Sequence, residues 1–376
     1  MKRYIEDQAI KDLSNKMLFI AGPRQCGKTT LAKTILKSQV NTDSKATYLN
    51  WDSEADRAQI LTKEFPSGSG ILVLDEIHKY ARWRNLLKDL YDSRGSQLDI
   101  LVTGSAKLDY YRRGGDSLQG RYNLLRMHPL SFREIDVKTQ ESLQRLFDLG
   151  GFPEPFLSGD KDEARRWSNQ YSIRLIREEL TSLEKVMEIS LLEELSFRLP
   201  DCVGSVLSIN SLREDLQVSH QTLTRWLSLL DRLYSIFRVL PFGSPRIKAV
   251  KKESKHYHWD WNVVGSEGAR FENLIACHLL KWCNWIEDIK GYHMELRFFR
   301  DKEQREVDFV VLQDKKPVEF IECKYSRQNV DTSIAYLKRK FPEVTATQVC
   351  MEPCEDVINK DGIRFCDGLT YLWEKV

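Results

Sequence analysis

Two groups of residues in this 376-residue chain have the types and spacing to do chemistry. The first is "GPRQCGKTT", Gly22 to Thr30, which fits G-x-x-x-x-G-K-[ST]. Glycines in such a loop let backbone N–H groups curl around a phosphate, and the helix that follows adds the partial positive charge of its N-terminus. Gly22, Pro23, Arg24, Gln25, Cys26, Gly27, Lys28, Thr29 and Thr30 are therefore expected around the phosphates of ATP. Lys28 would reach the β- and γ-phosphates and the Thr29 hydroxyl would bind Mg²⁺. "ILVLDE" supplies the partner, four apolar residues of a central strand ending in Asp75 and Glu76. Asp75 can hold Mg²⁺ through water, and Glu76 is placed to orient and deprotonate the attacking water. "LDILVTGSA" ends in Thr103 and Ser105, where a hydroxyl can sense the γ-phosphate or merely cap a strand. Of Arg112, Arg113 and Arg121, Arg121 is chosen as an arginine finger acting in cis or in trans.

The second group lies in "EVDFVVLQDKKPVEFIECK", residues 306–324, which reads as a hairpin turning through "DKK". Side chains alternate faces with period two, so Glu322 and Lys324 share a face. A three-residue loop 314–316 centres the pairing on Lys315 and sets Asp308 opposite Glu322. Acid opposite acid is destabilising unless something compensates, and a divalent cation is the economical candidate. Asp308, Glu322 and the Cys323 carbonyl would hold Mg²⁺ while Lys324 positions a water beside a phosphate. The ordinary alternative is internal pairing, Lys324 with Glu322 and Asp308 with Arg305.

Elements must place these groups. Over 16–104, apolar strand-like runs alternate with helical periodicity, the signature of a parallel sheet covered by helices, so the fold class is α/β. Residues 105–135 read as irregular, and a helical region runs from 131 to 199 with a break at "GGFPEP". Within 210–233 a short helix, a turn and a longer helix would bury Leu212, Leu216, Val218, Leu223, Trp226 and Leu230 on one side. That spacing suits a winged-helix unit exposing His220, Gln221, Thr224 and Arg225 to bases or phosphates, or a small helical scaffold. Downstream, Arg246, Lys248, Lys251, Lys252 and Lys255 form a basic cluster, able to follow a phosphate backbone or simply solvated. The last region reads helix 266–286, strands 295–300, 305–313 and 317–323, helix 330–340 and strand 345–350. The division expected is a P-loop ATPase domain over 1–135, a helical and winged-helix middle over 136–245, and a third α/β domain over 246–376.

The blocks "GPRQCGKTT", "LDEIHKYARWRNLLKDLYD", "VTGSAKL", "LQGRYNLLRMHPLSFREI" and "GGFPEPFL" together resemble a large prokaryotic family of AAA-type ATP-binding proteins whose C-terminal domain is of unknown function. Cys26 departs from the family, which usually has a small apolar residue there, and ATP is expected to shield this thiol from alkylation. The pattern Asp308…Glu322-x-Lys324 resembles the restriction-endonuclease-like nucleases. That resemblance implies a metal site completed by a Glu on the preceding helix, and Glu272 stands there. Together these imply an ATPase coupled to DNA binding or cleavage, or a nucleotide-dependent switch whose last domain binds nucleic acid or protein without cutting.

Composition narrows the rest. With 57 basic and 55 acidic residues the net charge is +2, so nucleic-acid binding must come from a local patch. No apolar run approaches the roughly 18–20 residues that cross a bilayer, and Glu6 and Asp7 stand where a signal peptide is apolar, so a cytoplasmic protein is expected. The eight cysteines are scattered and read as reduced, mostly buried thiols.

Overall fold

Strands that are apolar along their whole length belong where both faces are covered. "MLFIA" is such a strand: β1, Met17–Ala21, is buried at every position. A computed structural model describes residues 1–38, 45–65, 68–95, 97–104, 118–183, 188–243 and 254–375. The chain divides into two units, Met1–Pro129 and Leu130–Val376.

In the first unit β1 is joined by β2 (Lys45–Asn50), β3 (Gly70–Asp75), β4 (Leu98–Gly104) and β5 (Tyr122–Arg126) in the order β2-β3-β4-β1-β5. All four pairings are parallel. Helices α1 (Glu6–Leu13), α2 (Lys28–Ser38), α3 (Glu54–Thr62) and α4 (Trp83–Arg94) accompany them. Phe19, Leu72, Leu74, Ile100 and Val102 of the sheet pack with Trp83 and Leu87 of α4. Because β4 lies between β1 and β3, with Ala21 level with Gly104 and Asp75 level with Thr103, three strand ends meet at one edge. Elements outside the sequence-based assignment include α1, which lies ahead of residue 16, together with one strand and one further helix. Strand β5 falls inside the stretch read as irregular, since only Leu125 of its "YNLLR" is fully buried. Helix α3 also went unread, its "EADRAQILT" burying only Ile60 and starting on a Ser53 cap that accepts the Asp56 N–H.

The second unit opens on the 3-10 turn Phe132–Ile135. Then follow α5 (Gln140–Leu149), α6 (Pro153–Ser158), α7 (Lys161–Leu183), α8 (Ile189–Arg198), α9 (Ile209–Asp215) and α10 (His220–Arg232). Pro153 opens α6 from within "GGFPEP", where its missing N–H costs nothing, and Gly159 at φ +73° closes it. The tight turn between α9 and α10 passes through Gln217 at φ +54°, and Ser219 caps α10 by accepting the Thr222 N–H. Leu212, Leu216, Leu223, Trp226 and Leu230 are buried as expected, whereas Val218 is only half-buried because it lies in the turn.

Strands β6 (Ile236–Pro241) and β7 (Lys255–His258) pair antiparallel on either side of the lysine-rich stretch. Neither strand shows as an element in the sequence pattern. Next come α11 (Glu267–Lys290), β8 (Met294–Arg300), β9 (Glu306–Gln313), β10 (Lys316–Lys324), α12 (Thr332–Lys340), β11 (Thr345–Cys350), β12 (Val357–Ile358), β13 (Ile363–Asp367) and α13 (Gly368–Trp373). Among the described residues the strand order is β12-β13-β11-β10-β9-β8-β6-β7. Strand β6 pairs with β7 over residues 236–239 and touches β8 only at Leu240 and Pro241.

The hairpin differs from its expected form in an informative way. Lys316 pairs with Gln313, so the loop is the two residues Asp314 and Lys315, at φ +50° and +68°, as a two-residue turn of the primed type requires. A bulge between Pro317 and Glu319 then slips the register by one, and Ile321 faces Phe309. Asp308 and Glu322 are the next residues along, so they face each other as read, for a different reason.

The start of this unit is tied down by buried charge. Ser131 and Glu134 form a capping box, and Lys281 of α11 donates to Ser131 Oγ at 2.9 Å and to the Glu134 carboxylate. The Phe132 N–H donates to His278 Nε2 at 3.0 Å, so the ring's proton sits on Nδ1, donated to the Leu274 carbonyl at 2.8 Å. Burial, with Lys281 adding to it, pushes the His278 pKa down to about 4. A depressed folded pKa means the unfolded chain takes the proton first, so this contribution to stability is present above about 6.5 and is lost as pH falls through about 4. The stability gap between wild type and His278→Ala, measured by urea unfolding, should narrow over that window by up to about 3 kcal/mol. A gap independent of pH would show that His278 is not held neutral.

Candidate functional site

The nucleotide site is built at the meeting of three strand ends. Gly22 leaves β1 so close to β5 that a Cβ would lie 2.1 Å from the Met127 carbonyl oxygen, which excludes any side chain. Gln25 at φ +59° and Gly27 at φ +100° curl the loop into α2. Lys28, 6% exposed, folds back and donates to the carbonyls of Gly22 at 3.0 Å and Pro23 at 2.5 Å. Thr29 Oγ1 donates to Asp75 Oδ2 at 2.7 Å, Tyr48 OH to the same oxygen at 2.6 Å, and Thr103 Oγ1 to Oδ1. Asp75, 2% exposed, is thus an acceptor for three hydroxyls from β2, β4 and the first turn of α2. Thr30, also in that turn, is exposed.

Glu76 follows in a left-handed conformation, φ +56°, which turns its side chain out of the strand. Its Oε2 lies 3.5 Å from Lys79 Nζ and 3.7 Å from His78 Nε2. Burial pushes its pKa up, against the pull of Lys28 and Lys79. The donor set of hydroxyl and carboxylate oxygens at Thr29 and Asp75 suits Mg²⁺, a hard cation.

Three expectations change here. Arg121 sits beyond the opposite end of β1: its carbonyl accepts the Met17 N–H at 3.1 Å, about 13 Å of strand away from the phosphate loop. Its guanidinium grips Asp92 at 2.7 and 3.1 Å, so it cannot serve the nucleotide bound by its own chain, and only action in trans is left. Thr103 is engaged by Asp75 rather than facing a phosphate, and Ser105, Arg112 and Arg113 lie outside the described residues. The Cys26 thiol is fully buried and turned toward the Met127 carbonyl at 3.7 Å, so slow labelling with or without ATP replaces the expected shielding.

One residue of this site was not read from the sequence. Arg3 donates to the Cys26 carbonyl at 2.6 Å and to the His128 carbonyl at 2.5 Å, clamping the phosphate loop to the end of the β5 segment. Its signal was weak, a single arginine ahead of an ordinary amphipathic helix.

The observations on this edge agree with the comparison of families. Residues 14–136 match the family model described as an AAA domain. This AAA-like match runs past Pro129 into the Ser131–Glu134 capping box. Residues 140–266 and 267–368 match two further families, each described as a domain of unknown function, DUF8612 and DUF4143. An uncharacterized protein of Haemophilus influenzae is 23% identical over 326 residues, 77% of this chain and 78% of that one. An uncharacterized protein of Mycobacterium tuberculosis is 24% identical over 252 residues, and the chain spans about half, 55%, of its length. Among solved structures, the Aeropyrum pernix ORC1 protein in complex with DNA is similar at 12% identity and TM-score 0.38, over 73% of this chain and 93% of that one. AMPPCP-bound DnaA from Aquifex aeolicus is similar at 15% identity and TM-score 0.33, over 60% and 86%.

The second group of chemistry-bearing residues does converge, around a side chain the sequence reading had put elsewhere. Lys255, on β7 and fully buried, places Nζ 2.7 Å from Glu306 Oε1, 3.1 Å from Glu272 Oε1 and 3.1 Å from Asp308 Oδ1. Tyr257, two residues on and so on the same face, donates to Glu272 Oε1 at 2.6 Å. Asp308 Oδ2 accepts the Cys323 N–H at 2.9 Å. Lys324 bonds Glu322 at 2.7 Å and Asp331 at 3.1 Å. Burial alone would lower the Lys255 pKa, but Asp308, Glu272 and Glu306 outweigh it and hold the ammonium well above its usual range. Burial and then Asp308 push the carboxyls of Glu272 and Glu322 up. Removing one partner from such a buried ion cluster costs about 3–5 kcal/mol, because the others are left uncompensated.

The metal expected at Asp308, Glu322 and Glu272 does not fit this arrangement. An ammonium already takes the oxygens of Asp308 and Glu272, and among the described residues no three His, Cys, Asp or Glu side chains are arranged to hold a metal ion. The expected pairing of Lys324 with Glu322 is present, whereas Arg305 pairs with Asp301 and Glu303 and leaves Asp308 to Lys255. Lys255 also leaves the basic cluster, whose Arg246, Lys248, Lys251 and Lys252 lie outside the described residues. On α10, His220, Gln221 and Arg225 are exposed, and the half-buried Thr224 turns its hydroxyl back to the His220 carbonyl at 2.8 Å.

The Arg3 clamp yields a test. Arg3→Ala should weaken binding of a fluorescent ATP analogue about 3- to 10-fold, the value of one or two buried hydrogen bonds. Arg3→Lys, with a point charge in place of a fork, should restore only part of it. Unchanged affinity in both would remove Arg3 from the site.

Proposed function

We propose that this chain is a Mg²⁺-dependent ATPase whose nucleotide state governs engagement of nucleic acid, DNA in the first instance, by its C-terminal parts. The observation that carries the ATPase reading is the convergence of Thr29, Tyr48 and Thr103 on the buried carboxylate of Asp75, beside a curled phosphate loop. With nucleotide, Lys28 exchanges the Gly22 and Pro23 carbonyls for the β- and γ-phosphates. Thr29 and Asp75 would hold Mg²⁺, which when bound would supply neutralisation of the charge on the phosphates. Glu76, held near the loop by its left-handed backbone, orients a water for attack on the γ-phosphorus and takes its proton as the bond to the β-phosphate breaks. The β4 tip, through Thr103 donating to Asp75, steadies the carboxylate that would hold the metal.

The three-part organisation, 1–135, 136–245 and 246–376, belongs to this proposal. The α9–turn–α10 unit, followed by the antiparallel β6 and β7, is read as a winged helix. His220, Gln221 and Arg225 are exposed on α10 for contact with bases or phosphates. The last part is read as restriction-endonuclease-like. A live nuclease is favoured by the meeting of Asp308, Glu322 and Lys324; binding without cutting is favoured by Lys255 among the carboxylates.

The ATPase reading is tested with Glu76→Gln and Lys28→Ala. Glu76→Gln should keep ATP binding and lose at least about 100-fold in hydrolysis, the usual contribution of a general base. Lys28→Ala should lose binding as well. Full hydrolysis by either variant would overturn the assignment.

A further inference from the structure

The lysine of the nuclease-like pattern is Lys324, yet a second lysine, Lys255, lies fully buried among the acids. Lys255 has three N–H donors and three carboxylates within 3.1 Å, one each from Glu272, Glu306 and Asp308, so its hydrogen-bonding capacity is saturated. The side chain is not free to leave. Its backbone is paired opposite Val239 in β7, its surface is fully buried, and its head lies 5.9 Å from the centre of the Phe298 ring. The oxygens a metal would need already have partners: Asp308 accepts from Lys255 with one and from the Cys323 N–H with the other, and Glu272 Oε1 accepts from both Lys255 and Tyr257 OH. Glu322 is turned to Lys324 at 2.7 Å and accepts the Asp308 N–H at 3.4 Å. Mg²⁺ demands near-octahedral oxygens at about 2.0–2.1 Å, and placing it here would set a dication against the ammonium at ion-pair distance.

We propose that Lys255 is the resident cation of this cluster, holding Glu272, Glu306 and Asp308 in place of a divalent metal, so that the C-terminal unit engages its ligand without metal-dependent cleavage of a phosphodiester. The inference rests on the nuclease-like reading only for where a metal would otherwise sit. Two further expectations follow from the geometry. Removing the ammonium frees Asp308 and Glu272 oxygens and creates the cation site the native chain does not offer. Restoring a cation from the side chain, as arginine, closes it again.

The experiment titrates Mn²⁺ into the full chain without nucleotide and reads free Mn²⁺ by electron paramagnetic resonance, with circular dichroism reporting folding. Wild type should show no Asp308-dependent site filled below about 1 mM, a free energy of about −4 kcal/mol, and any Mn²⁺ held at Thr29 and Asp75 is recognised because Asp308→Asn leaves it unchanged. Lys255→Met should gain one site at least tenfold tighter, lost again in Lys255→Met with Asp308→Asn, while Lys255→Arg stays silent. If Lys255→Met does not fold, Lys255→Gln, which keeps a polar head, takes its place. One Mn²⁺ bound by wild type and lost in Asp308→Asn would overturn the proposal whatever the variants do. So would a folded Lys255→Met or Lys255→Gln that gains no site. Failure of the nuclease-like reading shows separately, as no binding of DNA by wild type in a gel-shift assay, and leaves the Mn²⁺ result to stand on its own.

Discussion

A charge held away from water must find its opposite inside the protein, and much of this chain's architecture answers to that requirement. Lys255 needs three carboxylates, and two elements deliver them: α11 brings Glu272, and β9 brings Glu306 and Asp308 from alternate positions on one face. The bulge after Pro317 is what keeps Glu322 opposite Asp308 despite a two-residue turn. Lys281 likewise ties the Ser131–Glu134 box to α11, and Lys375 meets Glu319 at 2.8 Å. Each pair is expensive to assemble and costly to break, so it fixes register more than it adds stability.

The nucleotide edge meets the same requirement with dipoles instead of opposite charges. Asp75 carries its carboxylate against three hydroxyls, and Lys28 its ammonium against two carbonyls. Both arrangements are exchangeable. Hydroxyls and carbonyls give way to a metal and phosphates without stranding an ion, whereas Lys255 cannot leave its acids without doing so. One site is therefore poised to take ligands, and the other already holds its counter-charge.

Much of this was legible in the sequence, for physical reasons that can be named. The parallel sheet, the phosphate loop, Asp75 and Glu76 were readable because β1 and β3 are apolar along their length and their motifs are local. Asp308, Glu322 and Lys324 were readable because alternation and pairing are short-range arithmetic, although the arithmetic reached the right register through the wrong loop. Lys255 was not, because "KKESKHYH" looks like a solvated run and only the pairing of β7 with β6 shows that all four residues of "KHYH" are buried. Arg121 looked like a finger because of its neighbours in sequence, but parallel strand direction carries it to the far end of β1. Strands β12 and β13 are hard to read for another reason: they pair locally with each other, but β12 is only two exposed residues and β13 shows little periodicity.

On the proposals above, the chain has one site open to a divalent cation, at Thr29 and Asp75, and one closed by its own Lys255. The most direct measurement is anomalous diffraction from crystals grown with Mn²⁺ and a non-hydrolysable ATP analogue. The account predicts a peak beside Thr29 and Asp75 and none between Asp308 and Glu322, with Lys255 Nζ in place among Glu272, Glu306 and Asp308. A peak at Asp308 and Glu322, with Lys255 displaced, would contradict it.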